Sequence, residues 1–160
     1  MKRVLVFTVA LLVFAGVSHA ELPFTVEGAA NLTIGEGSTL FGISGGALFD
    51  ITEKIRIRAT LINLNLTEGT ALYLGTGMNL DVLLSFAASK IAPYAVGGFH
   101  LNTMENFTSL NLNIGGGAEF VSEKNLTPFV EAVLGIASFS FGGMSESSTS
   151  VAIRGGVRFR

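Results

Sequence analysis

The strongest constraint on the fold is an alternation of apolar and polar side chains, with a period of two residues, in six segments of the chain. From Phe24 the even positions are apolar or small and most odd positions are polar, and residues 151–160 alternate in the same way with the odd positions apolar. Successive side chains of a β-strand point to opposite faces, so each segment predicts a strand with one apolar face. Segments of about ten residues with this pattern are typical of barrel strands that cross a membrane. The other four segments are 40–50, 55–61, 72–86 and 110–120.

The composition points to the same class of fold. Hydrophobic residues make up 49% of the chain, charged residues make up 14%, and there are 20 glycines. Beyond residue 20, however, no run reaches the ~18 consecutive apolar residues of a spanning helix. A closed β-barrel is the other structure that satisfies every backbone polar group in lipid. The sequence therefore predicts an all-β fold, an eight-stranded antiparallel up-and-down transmembrane β-barrel.

The N-terminus has the pattern of a secretory signal peptide. Lys2 and Arg3 precede an apolar stretch at 4–17, and the sequence Ser-His-Ala at 18–20 fits a cleavage site. A membrane anchor is the alternative, but the stretch is shorter than the ~20 residues that a spanning helix needs. We expect residues 1–20 to be a signal peptide and residues 21–160 to form one barrel domain.

Two less regular segments, each starting with Pro and an aromatic residue, bring the strand count to eight. In the first, the glycines at Gly97 and Gly98 leave the facing open. In the second, Glu131 should face inward and Phe139 outward, although both positions are odd; a bulge near Gly135 would reconcile them. The two segments are 91–102 and 128–141.

The connections between these segments alternate in character. Short polar turns that contain Lys alternate with loops that contain Glu and no base, so the two sets should lie at opposite ends of the barrel. In barrels of this kind the short turns are periplasmic and the longer loops extracellular. The loop glutamates could bind divalent cations that bridge lipopolysaccharide, or could simply be solvated. The Lys turns are at 52–54, 89–90 and 122–124, and the Glu loops are at 35–37, 67–69, 104–106 and 142–146.

Phenylalanines cluster toward the ends of the predicted strands, which favours two aromatic girdles at the membrane interfaces. A soluble β-sandwich with Phe in its core is the alternative. The turn-end set is Phe24, Phe49, Phe86, Phe120, Phe129 and Phe159, and the loop-end set is Phe41, Phe99, Phe107, Phe139 and Phe141.

Three stretches carry a resemblance to a known group of proteins. They are 45–50 running through a turn into 55–59, then 112–120 followed by 128–132, and finally the terminal strand. On these the chain resembles small eight-stranded outer-membrane barrels of the OmpA/OmpX type, including opacity-like domains. The resemblance implies a monomer in the outer membrane of a Gram-negative cell envelope, in contact with outer-membrane lipids and lipopolysaccharide and inserted by the barrel assembly machinery. That group usually ends on an aromatic residue, whereas here Phe159 is followed by Arg160.

The polar faces of the strands carry nearly balanced charges. The interior of an eight-stranded barrel is just wide enough for side chains to fill, so buried charges there should be paired. We predict an ion-pair network that plugs the lumen; a proton or ion path is the functional alternative. Asp50 is a further acid on these faces. The network residues are Glu27, Arg56, Arg58, Asp81, Glu119, Glu131, Arg154 and Arg158.

No catalytic, cofactor-binding or metal-binding residues are predicted. His100 is the single histidine beyond the signal segment, and Asn102 stands where similar lipid A deacylases carry Ser. No spacing ties His100 to Ser109 or Glu119. The glycines at 115–117 lie within a strand, where small residues beside bulky neighbours explain them better than a phosphate loop. The chain has no Cys, which excludes disulfides and thiolate metal sites, and its net charge of −2 gives no indication of a nucleic-acid partner.

These observations predict a structural or interaction protein of the bacterial outer membrane that is not an enzyme and has no cofactor. Two alternatives belong to other classes: a lipid A-modifying outer-membrane enzyme and a soluble exported ligand-binding barrel.

Overall fold

A computed structural model describes residues 24–35, 38–67, 71–74, 77–86, 90–104, 107–122, 125–141 and 144–160. The predicted signal peptide at 1–20 lies outside these residues. Among them, no helix has the length and hydropathy to cross a membrane. The strand segments are β1 (Thr25–Gly35), β2 (Ser38–Asp50), β3 (Ile55–Asn65), β4 (Ala71–Leu74), β5 (Gly77–Ser85), β6 (Ile91–Met104), β7 (Phe107–Phe120), β8 (Leu126–Phe141) and β9 (Met144–Phe159).

The segments form a closed antiparallel barrel of eight strands. Segments β4 and β5 both pair with β3 and follow each other along it, so together they make one barrel strand. Each strand pairs with the next in sequence, and β1 also pairs with β9, which closes the ring. The predicted all-β, eight-stranded antiparallel up-and-down fold is confirmed.

The alternation predicts the facing of most side chains correctly. On β1, Ile34 is 48% exposed on the outer surface whereas Glu27 is 2% exposed on the inner one. On β7, Ile114 is 67% exposed and Glu119 is 9% exposed. The barrel therefore has an apolar exterior and a polar interior.

The bulge predicted near Gly135 is wrong. Segment β8 pairs with β7 and with β9 in unbroken register, and its odd positions face inward from Phe129 to Phe139. Phe139 fits inside because it lies opposite the small Ser109. The facing is also constant through Gly97 and Gly98 in β6.

A bulge is found instead between β2 and β3. Gly45 pairs with Ile62 and Gly46 with Thr60, so Leu61 is an extra residue on β3. A Cβ on Gly46 would lie 2.5 Å from the Ala59 carbonyl oxygen, so a glycine is required at this close approach. Beyond the bulge the facing of β3 reverses, as expected for a strand with one added residue.

The aromatic girdles are only partly as predicted. Phe49, Phe86 and Phe120 are exposed on the outer surface at the turn end, and Phe41 and Phe99 are exposed toward the loop end. Phe129 is only 3% exposed and lies inside the barrel, so its assignment to the girdle is wrong, as is that of Phe139. Phe107 and Phe141 have side chains outside the described part of the chain.

Candidate functional site

All eight side chains predicted for the lumen network lie on the inner face of the barrel. They come from β1, β3, β5, β7, β8 and β9, and consecutive contacts join them into one cluster, which we call the lumen network. Four acids face four arginines, so the formal charge of the cluster is zero.

Arg58 forms the densest part of the network. Its Nε and Nη2 donate to Asp81 Oδ2 at 2.9 and 2.7 Å. Its Nη1 and Nη2 donate to the two carboxylate oxygens of Glu131 at 2.9 and 3.1 Å. Because the Arg58 side chain is 2% exposed, these four charge-assisted hydrogen bonds replace its lost hydration.

Glu27 joins the first strand to the last. It accepts from Arg154 Nη2 at 3.0 Å and from Arg158 Nε at 2.9 Å, and its Oε1 lies 3.6 Å from Arg58 Nη1. Arg154 also donates to Glu131 Oε1 at 3.1 Å. The seam at which β1 and β9 close the barrel is therefore bridged by three charged side chains from the seam itself.

Glu119 completes the network at the turn end. It contacts Arg56 Nη2 at 2.6 Å and also pairs with Arg158. Asp50, the fifth acid of the polar faces, does not join this group. It lies at the end of β2 with a 39% exposed side chain and pairs with Arg160, the residue that follows the terminal Phe159. That pair is solvated because both residues lie at the turn-end rim.

Two aromatic side chains that were not predicted to line the lumen contact the network. Tyr94 Oη donates to Glu131 Oε2 at 3.0 Å. The Arg158 guanidinium lies 4.2 Å from the ring centroid of Phe129 and 5.1 Å from that of Tyr94, within the range of cation–π attraction. Each ring lies opposite an inward-facing glycine on the neighbouring strand, Gly117 for Tyr94 and Gly156 for Phe129. The pairing of each ring with a glycine gives it room inside the barrel.

A cluster of buried apolar side chains accompanies the charges in the lumen. The core cluster consists of Leu48, Leu83, Tyr94, Val96 and Val133. Leu48 and Leu83 have no measurable exposure. These apolar side chains are therefore packed beside the lumen network.

His100 lies on the inner face of β6, opposite Asn79 and Asn111. Its Nε2 is 3.0 Å from Asn113 Nδ2 and 3.6 Å from Asp81 Oδ1, and its side chain is 31% exposed. His100 pairs with Asn111, and Glu119 lies eight residues further along β7, about 27 Å away at a strand rise of ~3.4 Å per residue. The histidine and this acid are therefore not assembled into one site. Among the described residues, no group of three or more His, Cys, Asp or Glu could hold a metal ion.

Comparison with known proteins supports the fold. No family model matches the chain, and no curated protein matches it either. Among solved structures, it is similar to the crystal structure of Neisserial surface protein A (NspA), with 15% identity, a TM-score of 0.59, and coverage of 85% of this chain and 94% of that one. It also matches the crystal structure of the N-terminal β-barrel domain of Pseudomonas aeruginosa OprF, with 18% identity, a TM-score of 0.47, and coverage of 83% and 96%. The predicted resemblance to small eight-stranded barrels is confirmed at the level of the fold.

Proposed function

We propose that the chain is an integral protein of the bacterial outer membrane, with a structural or interaction role at the cell surface and a lumen plugged by the lumen network. The observation that carries this proposal is the polarity of the barrel wall. Glu131 is 1% exposed inside, whereas Ile114 is 67% exposed outside. A soluble barrel has the opposite arrangement.

The size of the apolar exterior favours a lipid environment. Leu112, Ile114 and Ile153 are 55, 67 and 47% exposed, and other large apolar side chains share this surface. Complete removal of such a side chain from water is worth ~1.5–3 kcal/mol, so each of these gains roughly half that in lipid. A soluble exported ligand-binding barrel would leave the whole band in water.

The charges at the two ends of the barrel support an orientation with the turn end in the periplasm. Lys54 and Lys90 are exposed at the turn end, and Glu146 is exposed at the other end. With the turn end in the periplasm, the partners are outer-membrane lipids and lipopolysaccharide, and the barrel assembly machinery during insertion. We expect a monomer with no nucleic-acid partner. The other loop glutamates, at 36, 68 and 105, lie outside the described residues.

The proposal is tested by cell fractionation and by gel electrophoresis with and without boiling. We expect the protein in the outer-membrane fraction, with faster migration before boiling than after it, because closed barrels resist detergent until heated. Recovery in the soluble periplasmic fraction would overturn the proposal in favour of the soluble barrel.

The plug is tested by conductance in planar lipid bilayers. The lumen network is neutral and its side chains contact each other directly, so we expect no steady ion current from the purified protein. A sustained current would instead favour the alternative of an ion path through the lumen.

Lipid A modification is the competing enzymatic function. It requires a nucleophile or base near an acyl ester in the membrane, whereas His100 points into the barrel and contacts Asn113. We therefore expect His100→Ala to leave the lipid A mass spectrum and esterase activity unchanged. Loss of a lipid A modification on this substitution would establish the enzyme.

A further inference from the structure

The loop-end half of the lumen differs in chemistry from the turn-end half. Here the inner faces carry amides, hydroxyls and small residues in place of arginines. Neighbouring strands align these residues in two register rows. One row is Asn79, His100, Asn111, Ala137 and Ser148, and the next is Asp81, Gly98, Asn113, Gly135 and Ser150.

Three side-chain oxygens converge above the bare backbone of Gly135. Asn111 Oδ1, Asn113 Oδ1 and Ser150 Oγ lie 3.0, 3.1 and 3.0 Å from the position that a Cβ of Gly135 would occupy. Asn113 is held in this orientation because its Nδ2 is 3.0 Å from His100 Nε2, which directs its Oδ1 the other way. We call Asn111, Asn113 and Ser150 around Gly135 the asparagine cradle.

The cradle lacks a hydrogen-bond donor for at least one of its oxygens. Asn111 Oδ1 is buried, and no described protein group donates to it; the same holds for Asn79 Oδ1 in the same row. A buried acceptor without a partner is unfavourable, and amide dipoles directed at one place repel each other. Both penalties are removed by a positive charge between the oxygens.

One anionic oxygen lies in the same register row as the cradle. Asp81 Oδ2 binds Arg58, which leaves Asp81 Oδ1 over Gly98 in the same row as the cradle, with His100 Nε2 3.6 Å away. On β3 the same row continues to Arg58, which balances the charge of Asp81. Asp81 Oδ1 therefore adds an anionic oxygen to this part of the lumen without giving it a net negative charge.

We propose that the asparagine cradle binds a hard, oxygen-coordinated cation of the kind represented by Na⁺ and Ca²⁺. Amide carbonyls, hydroxyls, carboxylates and water are the ligands of such ions, with Ca²⁺ taking six to eight oxygens at about 2.3–2.6 Å. Water completes the shell, since His100 is partly exposed at this level of the lumen. With a single carboxylate nearby and only neutral direct ligands, affinity is weak, in the range of about 10⁻⁴–10⁻³ M seen for extracellular calcium modules.

Glycine substitutions provide a matched pair of variants to test the proposal. Gly135→Ala places a methyl group inside the cradle while keeping all three ligating residues. Gly28→Ala adds the same methyl on the outer surface, where a Cβ meets no atom within 4 Å. Neither glycine has a left-handed backbone conformation, so both strands tolerate alanine. Unchanged heat-dependent gel migration verifies that each variant has folded.

Binding is measured by isothermal titration of the folded, detergent-solubilised barrel with CaCl₂, and separately with NaCl, at constant ionic strength set with a bulky organic cation. We expect millimolar or tighter binding of one or both ions, a loss of affinity of at least tenfold in Gly135→Ala and in Asn111→Leu, and no change in Gly28→Ala. The two titrations distinguish a sodium site from a calcium site.

The position of the ion is checked with Tb³⁺ as an anomalous scatterer in crystals of the protein. A peak between Asn111 Oδ1, Asn113 Oδ1 and Ser150 Oγ supports the proposal. Two results would overturn the proposal. The first is a cradle that holds only water in a protein that shows no heat of binding. The second is full affinity in Gly135→Ala, since the ion would then bind elsewhere, for example near Glu146.

Discussion

Replacement of Arg58 by leucine gives the most direct measure of what the lumen network contributes to stability. Arg58 is 2% exposed and makes four hydrogen bonds, two to Asp81 and two to Glu131. Without it, Glu131 keeps Arg154 and Tyr94, but Asp81 loses the one arginine that lies within 4 Å of it among the described residues. Breaking a buried ion pair by removal of one partner costs about 3–5 kcal/mol, because the remaining charge stays buried.

We therefore expect Arg58→Leu to lower the free energy of unfolding by about 3–5 kcal/mol. The chain has no Trp, so unfolding in urea is followed by far-ultraviolet circular dichroism of the protein in lipid vesicles. Arg160→Ala is the control, since the solvated pair of Arg160 with Asp50 should contribute only about 0–1 kcal/mol.

The double variant Arg58→Leu with Asp81→Leu separates loss of attraction from burial of an unpaired charge. Both ions of the Arg58–Asp81 pair are then absent, and replacement of a buried pair by apolar side chains is often nearly neutral. We expect it to be more stable than Arg58→Leu alone. The reasoning is refuted if Arg58→Leu costs no more than Arg160→Ala, or if the double variant is less stable than the single one.

Three further substitutions test the facing and packing of individual side chains. Arg154→Leu should lower the free energy of unfolding by about 3 kcal/mol, the lower end of the range for a broken buried pair, because Glu27 keeps Arg158. A gain in urea resistance would mean instead that Arg154 faces lipid. Ile114→Arg puts a charge on the lipid face and should lower the free energy of unfolding in the same vesicles by about 2–4 kcal/mol if the site is near the bilayer midplane. An unchanged free energy of unfolding would contradict a lipid-facing Ile114. Gly117→Ala places a methyl group 2.6 Å from Tyr94 Cζ and Oη and 2.5 Å from a backbone oxygen. We therefore expect a clear fall in the temperature at which the folded gel band is lost. An unchanged temperature would show that Tyr94 packs elsewhere.

The sequence predicts the strands and their facing well because lipid and lumen impose opposite requirements on alternate residues. The sequence of β3 also carries a signal for the bulge that the structure shows. Its polar residues occupy even positions up to Thr60 and odd positions from Asn63. The change falls at the adjacent apolar residues Leu61 and Ile62. The outward facing predicted for Phe139 is wrong because phenylalanine is compatible both with a membrane interface and with a packed interior.

The composition of the network could be predicted more completely than its geometry. Strand patterns place nine charges on the polar faces, but which acid meets which arginine depends on the stagger between strands, which no single segment reveals. Asp50 has the correct facing for the lumen, yet it lies at the rim, where Arg160 is within reach. Tyr94 and Phe129 depended on pairing with glycines of other strands, which becomes visible only when the register is known.

The bridges across the seam have a consequence for how the two ends of the chain find their alignment. A slip of one residue between β1 and β9 would turn apolar side chains into the lumen and polar side chains toward the outside. Such a slip is unfavourable because it reverses the face of every side chain. A slip of two residues would keep every side chain on its own face, so burial alone does not oppose it. In the observed alignment Glu27 lies opposite Arg158, and a shift of two residues in one direction would place the uncharged Gly156 there. Charge pairing thus distinguishes between two alignments that bury the same apolar side chains, and it does so between two strands that are not consecutive in the chain.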